Sequence, residues 1–210
     1  MLLAIDTATP AVTVALAEGE QVVAARTTVD ARRHGELLAP AIDAALRDAG
    51  IDRARLTGIA VGVGPGPFTG LRVGLVTART LGAVLGVPVV GVCTLDVLAL
   101  GSQLSGTFRV VTDALRREVH WSEYAGDGDR PRRTDGPHVD RPAEVRYDGP
   151  SVGAGAELYA EHYPGHRPPA HPDAADLARW VARGLPTLPP VPLYLRRPDA
   201  AAPGARKKVL

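Results

Sequence analysis

The 210-residue chain sets 24 Lys and Arg against 23 Asp and Glu, a formal net charge of +1, with 45% hydrophobic and 22% charged residues. That balance gives no global field for nucleic acid or an anionic membrane, and the length suits one generous domain or two small lobes. Cys93 is the only cysteine, which excludes an internal disulfide and a cysteine-built zinc site and fits a reducing compartment.

The opening MLLAIDTATP lacks a basic stretch and meets an acid at Asp6, so it does not read as a signal peptide. Met1–Asp6 is a short apolar run, and AVTVALAEGEQVVAARTTV gives two strands around Glu18-Gly19-Glu20. RRHGELLAPAIDAALRDAGI reads as a helix closed by Gly50, LTGIAVGVG as a buried strand, and TGLRVGLVTARTLGAVLG as a helix capped at Thr69 and ended at Gly86. VPVVGV is the next strand, with Cys93 placed in it as an inert core thiol. The order β-β-β-α-β-α-β predicts an α/β fold, a mixed sheet with helices on its faces. The longest uncharged apolar run, Thr80–Leu95, contains Pro88 and is shorter than the roughly 20 residues of a membrane helix, so no membrane span and a cytoplasmic location are expected.

Beyond Gly101 the character changes, which predicts two lobes, residues 1–101 and a smaller 102–210. FRVVTDA and EVHWSEYA read as strands, and Gly126–Pro150 as a loop rich in Gly, Pro, Asp and Arg. Ala174–Gly184 reads as a short last helix, free to pack back on the first lobe. The Arg-rich 130–141 part could touch RNA phosphate, but its acids nearly balance it and a solvated loop is the simpler reading.

Three turns raise the question of a nucleotide. AIDTATPAVTVAL resembles the opening strand–turn–strand of the sugar kinase, actin and Hsp70 ATPase superfamily, whose Asp-x-Gly-Thr turn wraps phosphates. Here the matching residues are Asp6, Thr7, Ala8 and Thr9, and the Ala8 Cβ crowds the approach a glycine would allow. A bare hairpin with a capping Asp competes with that reading. Asp113, at the end of FRVVTDA, sits where a second phosphate-loop Asp would, followed by Ala114, Leu115 and Arg116 instead of glycines. SVGAGAELY holds Gly153 and Gly155, a weak match to an adenosine turn. In GVGPGPFTGLRVGL, Pro65 and Pro67 remove backbone donors and no Gly-Lys-Ser/Thr follows, so this segment reads as a structural turn. His162 and His166 are spaced as metal ligands on a helix, but Pro164 and Gly165 between them argue against one.

The first two helices are apolar around more of their circumference than one sheet requires. In the first, Leu37, Leu38, Ala41, Ile42, Ala44, Ala45, Leu46 and Ala49 cover over half the wheel. In the second, Gly74, Ala78 and Gly82 form a flat stripe at spacings of four. Either the stripe packs on the chain's own sheet or another backbone comes close there; the excess apolar width points to an exposed patch awaiting a partner.

LAIDTATPAVTVAL, HGELLAPAIDAAL, GIAVGVGPGPFTGLRVGLVTARTLGAVLGVPVVGVCTLDVLA, DALRREVHWSEY and PLYLRRP together resemble the bacterial TsaB (YeaZ) family, strongly over roughly residues 1–125 and loosely afterwards. The resemblance implies a two-lobed actin/Hsp70/sugar-kinase-like (ribonuclease H-like) fold. It also implies a non-catalytic, pseudo-enzyme role in making N6-threonylcarbamoyladenosine at position 37 of tRNA. The implied partners are a TsaD-like transferase, a TsaE-like ATPase, tRNA through the complex, and a second copy of the chain when alone. Pairing through the two N-terminal helices puts the expected partner face on Leu38, Ile42, Ala45, Leu71, Gly74, Ala78 and Gly82. Asp6, Thr7, Thr9 and Asp113 become a vestigial nucleotide loop. No catalytic residue, metal or cofactor is expected, which leaves room for weak nucleotide binding or a nucleotide at a subunit junction. The alternative is a nucleotide-dependent enzyme of the superfamily or an M22-type metallopeptidase-like hydrolase.

Overall fold

In Leu2–Asp6 (β1), Leu3 and Ile5 go to one face of the first sheet and Ala4 to the other, which sorts the two faces. β1 pairs antiparallel with Ala11–Glu18 (β2), Leu3 opposite Leu16 and Ile5 opposite Val14. Gly19, at φ +57°, turns the chain back into Gln21–Val29 (β3). On its other side β1 runs parallel to Gly58–Gly62 (β4), and β4 to Val89–Val92 (β5), giving the order β3-β2-β1-β4-β5. The computed structural model describes residues 1–195. Lys207, Lys208 and the Arg196–Pro198 end of PLYLRRP lie outside them.

One face of this sheet carries the large side chains Leu3, Ile5, Val14, Leu16, Ile59 and Val61. His34–Asp48 (α1) and Phe68–Leu85 (α2) cover it. Gly50 and Gly86 follow the two helices in the left-handed conformation, at φ +62° and +68°. The other face presents Ala4, Ala15, Ala17 and Ala60, small enough for Thr94–Ser102 (α3) and the late helix Ala174–Ala182 (α5) to lie close. α5 returns from the far end of the chain to pack on β1 and β2, where the Ala174 amide donates to Thr13 Oγ1 at 2.9 Å.

A second five-stranded sheet follows, built from Ser105–Asp113 (β6), Val119–Asp127 (β7), Arg132–Asp140 (β8), Ser151–Val152 (β9) and His166–Arg167 (β10). Its order is β10-β9-β6-β7-β8. Phe108, Val110 and Tyr124 on one face meet Leu95, Leu98 and Ala99 of α3, and Ala154–Leu158 (α4) sits against β6. Three local expectations change. The 126–150 stretch contains β8, an edge strand whose exposed Arg and Asp residues hide its pairing. α2 starts at Phe68 after Pro67 with no side-chain cap, so Thr69 lies inside the helix. Cys93 is not in a strand: it is the buried, extended residue that starts α3.

The expected partner stripe is also corrected. Leu38, Ile42, Ala45, Leu71, Gly74, Ala78 and Gly82 are all buried in the chain's own core. A Cβ at Gly74 would collide with the Thr7 hydroxyl, and one at Gly82 with Val89. The small stripe exists because α2 lies flush on its own sheet, so it is unavailable to a partner. Among the described residues α2 is also the one helix long and apolar enough to cross a membrane, and these same residues hold it to the sheet. Gly74→Leu is therefore expected to cost about 1–3 kcal/mol of stability. At roughly 2–4 °C per kcal/mol for a chain of this length, thermal melting should register a clear fall. An unchanged melting temperature would return the stripe to the surface.

Candidate functional site

The β1–β2 turn and the glycine-rich segment meet at one place. Asp6, at the carboxyl end of β1, is fully buried. Its Oδ1 accepts from the Ala8 amide and its Oδ2 from the Thr94 hydroxyl, both at 2.8 Å. The carboxylate lies over Gly62, where any Cβ would overlap it. Thr7 Oγ1 donates to the Gly70 carbonyl at 2.7 Å and accepts from the Gly74 amide at 3.0 Å. It thereby bridges a carbonyl and an amide four residues apart in α2. Gly66 and Gly70 let the backbone come against the carbonyls of Ala8 and Thr7. Thr9 Oγ1 accepts from the Ala11 amide at 3.2 Å, and the Thr9 carbonyl meets His34 Nε2 at 2.8 Å. Asp6, Thr7 and Thr9 thus come together with Gly70 and Gly74, but as an internally bonded plug. The glycines serve close backbone packing on the turn, and the polar groups that would face a phosphate face the chain itself.

The other two turns are occupied in the same manner. Asp113 stands apart from that cluster and accepts locally from the Leu115 amide at 2.9 Å. After it Leu115, Arg116 and Arg117 have φ of 60°, 57° and 62°, three successive side-chain-bearing residues in the left-handed region. Gly153, at φ +102°, and Ala154 donate their amides to the carbonyls of Pro169 and Ala170 at 2.9 and 2.8 Å. The amides of this adenosine-like turn are filled by the chain's own 168–170 segment. His162 lies in a turn before β10 and His166 within β10, so no helix joins them. Among the described residues no group of three or more His, Cys, Asp or Glu could hold a metal ion.

Sequence reasoning missed two features. The first is a buried charge cluster between the sheets: Asp96 on α3 accepts from Tyr124 Oη at 2.6 Å and from Arg133 Nε and Nη2 at 3.0 and 2.8 Å. Burial pushes the Asp96 carboxyl up, opposed by Arg133, and pushes the Cys93 thiol beside it to about 12. The second is the outer face of α2, where Phe68, Val76 and Val84 are 37%, 63% and 76% exposed. There Arg72 Nε donates to Tyr194 Oη at 2.9 Å, the Phe68 and Tyr194 rings lie 4.7 Å apart, and the guanidinium sits over both. The Phe68–Arg72–Val76 spacing of four was present in the sequence, on the helix side opposite the stripe read as the interface.

Two mixed five-stranded sheets flanked by helices, with a phosphate-type turn opening the first, define a two-lobed, ribonuclease H-like α/β protein. The family profile described as TsaD, tRNA N6-adenosine threonylcarbamoyltransferase, matches residues 21–182. An uncharacterized protein of Mycobacterium tuberculosis is 48% identical over 205 residues, covering 95% of this chain and 93% of that one. The Escherichia coli tRNA threonylcarbamoyladenosine biosynthesis protein TsaB is 37% identical over 129 residues, 60% of this chain and 55% of that protein. The crystal structure of YeaZ from Pseudomonas aeruginosa superposes with a TM-score of 0.79 at 29% identity, covering 92% of this chain and 99% of the other. The chain belongs to the tRNA N6-adenosine threonylcarbamoyltransferase (TsaD) family, as a TsaB-like member.

Two outcomes follow from the buried acids. Burial raises the Asp6 pKa from 3.8 to about 6. Between those values the folded chain keeps a proton that the unfolded chain has lost. Stability is therefore fully present below about pH 4, falls as pH rises through 6, and stays lower above by about 3 kcal/mol. Asp6→Asn should flatten that profile, so that its melting temperature compares more favourably with that of the native chain at pH 7 than at pH 4; an unchanged profile by calorimetry would contradict it. Arg133→Met strands the Asp96 charge in the interior and should cost about 3–5 kcal/mol by urea unfolding, whereas a loss under about 1 kcal/mol would mean the cluster is solvated.

Proposed function

We propose that this chain is a non-catalytic scaffold in the synthesis of N6-threonylcarbamoyladenosine on tRNA, acting by docking a TsaD-like transferase in the cytoplasm. The observation that carries the reading is the contrast between the two sides of α2. The inner side is plugged into the phosphate-type turn through Thr7, Gly70 and Gly74, while the outer side offers Phe68, Arg72, Val76 and Val84 to solvent. Aromatic, Arg and aliphatic residues on one exposed helix face have the composition of a protein–protein contact. Relatives named as threonylcarbamoyladenosine biosynthesis proteins supply the pathway. A TsaE-like ATPase joining the pair and self-association through the same face are parts of this proposal.

Co-purification with the cell's own TsaD-like subunit, followed by a tRNA modification assay omitting each subunit in turn, tests the role. Val76→Asp should weaken the pairing by at least about tenfold, near 1.4 kcal/mol, while leaving thermal stability unchanged. Normal binding by this variant would place the docking face elsewhere. Modification that proceeds in full without the chain would end the scaffold reading. ATP hydrolysis by the isolated chain that disappears in Asp6→Asn would favour a nucleotide-dependent enzyme instead.

A further inference from the structure

A cleft of about 540 Å³ opens between the start of β8 and the end of α5 and shares no residue with α2. Asp96 and Arg133 line it together with Arg130 and Arg132, and Trp180, Leu185 and Pro186 supply an apolar wall. A guanidinium has two edges that can each grip a carboxylate: Nε with Nη2, and Nη1 with Nη2. Asp96 takes the first of these on Arg133, at 3.0 and 2.8 Å. The second edge meets only the Gly136 carbonyl, from Nη1 at 3.5 Å. Nη1 and Nη2 thus each keep one N–H with no acceptor among the described residues. The Asp96 side chain is 8% exposed and that of Arg133 26%, so the arginine is the accessible member of the pair. Asp96 and Tyr124 hold it in orientation beforehand, which lowers the cost of a second two-point contact. Charge points the same way. Arg130 and Arg132 are exposed and form no salt bridge among the described residues. Asp135, the other acid of the lining, accepts from the Gly136 amide at 2.8 Å and meets His138 Nε2 at 2.7 Å. Three arginines against two aspartates leave the lining one positive charge in excess, which one monoanion balances. In the apolar wall, Trp180 Nε1 is already spent on the Pro186 carbonyl at 2.9 Å, so the indole offers carbon surface only.

We propose that this cleft binds an organic monocarboxylate with an aromatic or branched aliphatic body. The carboxylate would take the free edge of Arg133 as a two-point pair, and the body would cover Trp180 and Leu185. Arg130 and Arg132 would draw the anion in. The volume falls in the range of pockets for small organic ligands, about 300–1,000 Å³. The observations favour this over an RNA strand. Asp127, Asp129 and Asp135 stand among the same arginines and repel a run of phosphates, and Trp180, 3% exposed, is too buried to stack on a base. The site does not rest on the scaffold reading, because none of its lining belongs to the docking face.

The test titrates the full chain near neutral pH with phenylacetate and with N-acetylphenylalanine, against the neutral phenylacetamide. The chain has two tryptophans, so NMR of the indole N–H groups gives two signals. Trp180 lines the cleft, while Trp121 packs with Val111 and Tyr163 and donates to Asp140, which makes it the internal control. The expected result is a saturable shift of Trp180 with one or both acids, at least about tenfold weaker affinity for the amide, and an unmoved Trp121. The tighter of the two acids tells a free small molecule from the carboxyl end of a peptide. Arg133→Lys keeps a positive charge beside Asp96 without the fork and should weaken binding at least about tenfold. Should that variant fail to fold, the exposed pair Arg130→Ser with Arg132→Ser replaces it and should weaken binding at least about threefold, more at low salt than at high. No saturable Trp180 shift with either acid, equal affinity for the amide, or undiminished affinity in the folded variant overturns the proposal. A Trp180 shift with an oligouridylate and none with the acids overturns it in favour of RNA.

Discussion

A single hydroxyl organises the first lobe. Thr7 Oγ1 donates to the Gly70 carbonyl and accepts from the Gly74 amide, inserting the β1–β2 turn into the hydrogen-bond ladder of α2. This contact requires α2 to come close enough to the turn for backbone to touch side chain. A Cβ at Gly66, Gly70 or Gly74 would fall on Ala8, Thr7 or the hydroxyl itself. The glycines of GVGPGPFTGLRVGL, a segment that reads as a structural turn, are thus needed by the protein's own packing. The face of α2 that could have met a ligand or a partner is spent on this contact, and the opposite face is left to solvent.

Residues 93–96 extend the same logic to the second sheet. The Thr94 hydroxyl donates to Asp6 and accepts from the Gly64 amide, tying the start of α3 to the turn and to the glycine segment. Two residues on, Asp96 binds Tyr124 and Arg133 of the second sheet. One helical turn therefore holds both sheets through two buried carboxylates. Neither is a bargain in stability: burial raises the pKa of each, and only the donors around them keep the arrangement tolerable. Such buried polar contacts fix geometry better than they add stability, and here they set one sheet against the other.

Much of the first lobe was legible because its signals are local. The short apolar run Met1–Asp6, the Glu18-Gly19-Glu20 turn, and Gly50 and Gly86 after their helices are each read from a few neighbouring residues. The direction of the Gly74–Ala78–Gly82 stripe was not legible, because small residues four apart permit close approach to any backbone, the chain's own included. The wide apolar arc of α1 misled for a related reason. Its Leu37, Ala41 and Leu46 are half-buried at the margin of the core and do not form a free patch. The Asp96–Arg133 pair joins residues 37 positions apart, and no spacing rule reaches across that loop. β8 was hidden because an edge strand needs no apolar face, and RRTDGPHVD reads as a loop until its pairing with β7 is seen.

The central claim is that the outward face of α2 is the docking surface and that its inner stripe is core. The most direct measurement places a photo-cross-linking side chain at Val76, or as a control at Val23 on the exposed edge strand β3, and irradiates each with the cell's own TsaD-like subunit. The account predicts a cross-linked pair from Val76 and none from Val23. A cross-link from Val23 with none from Val76 would contradict it.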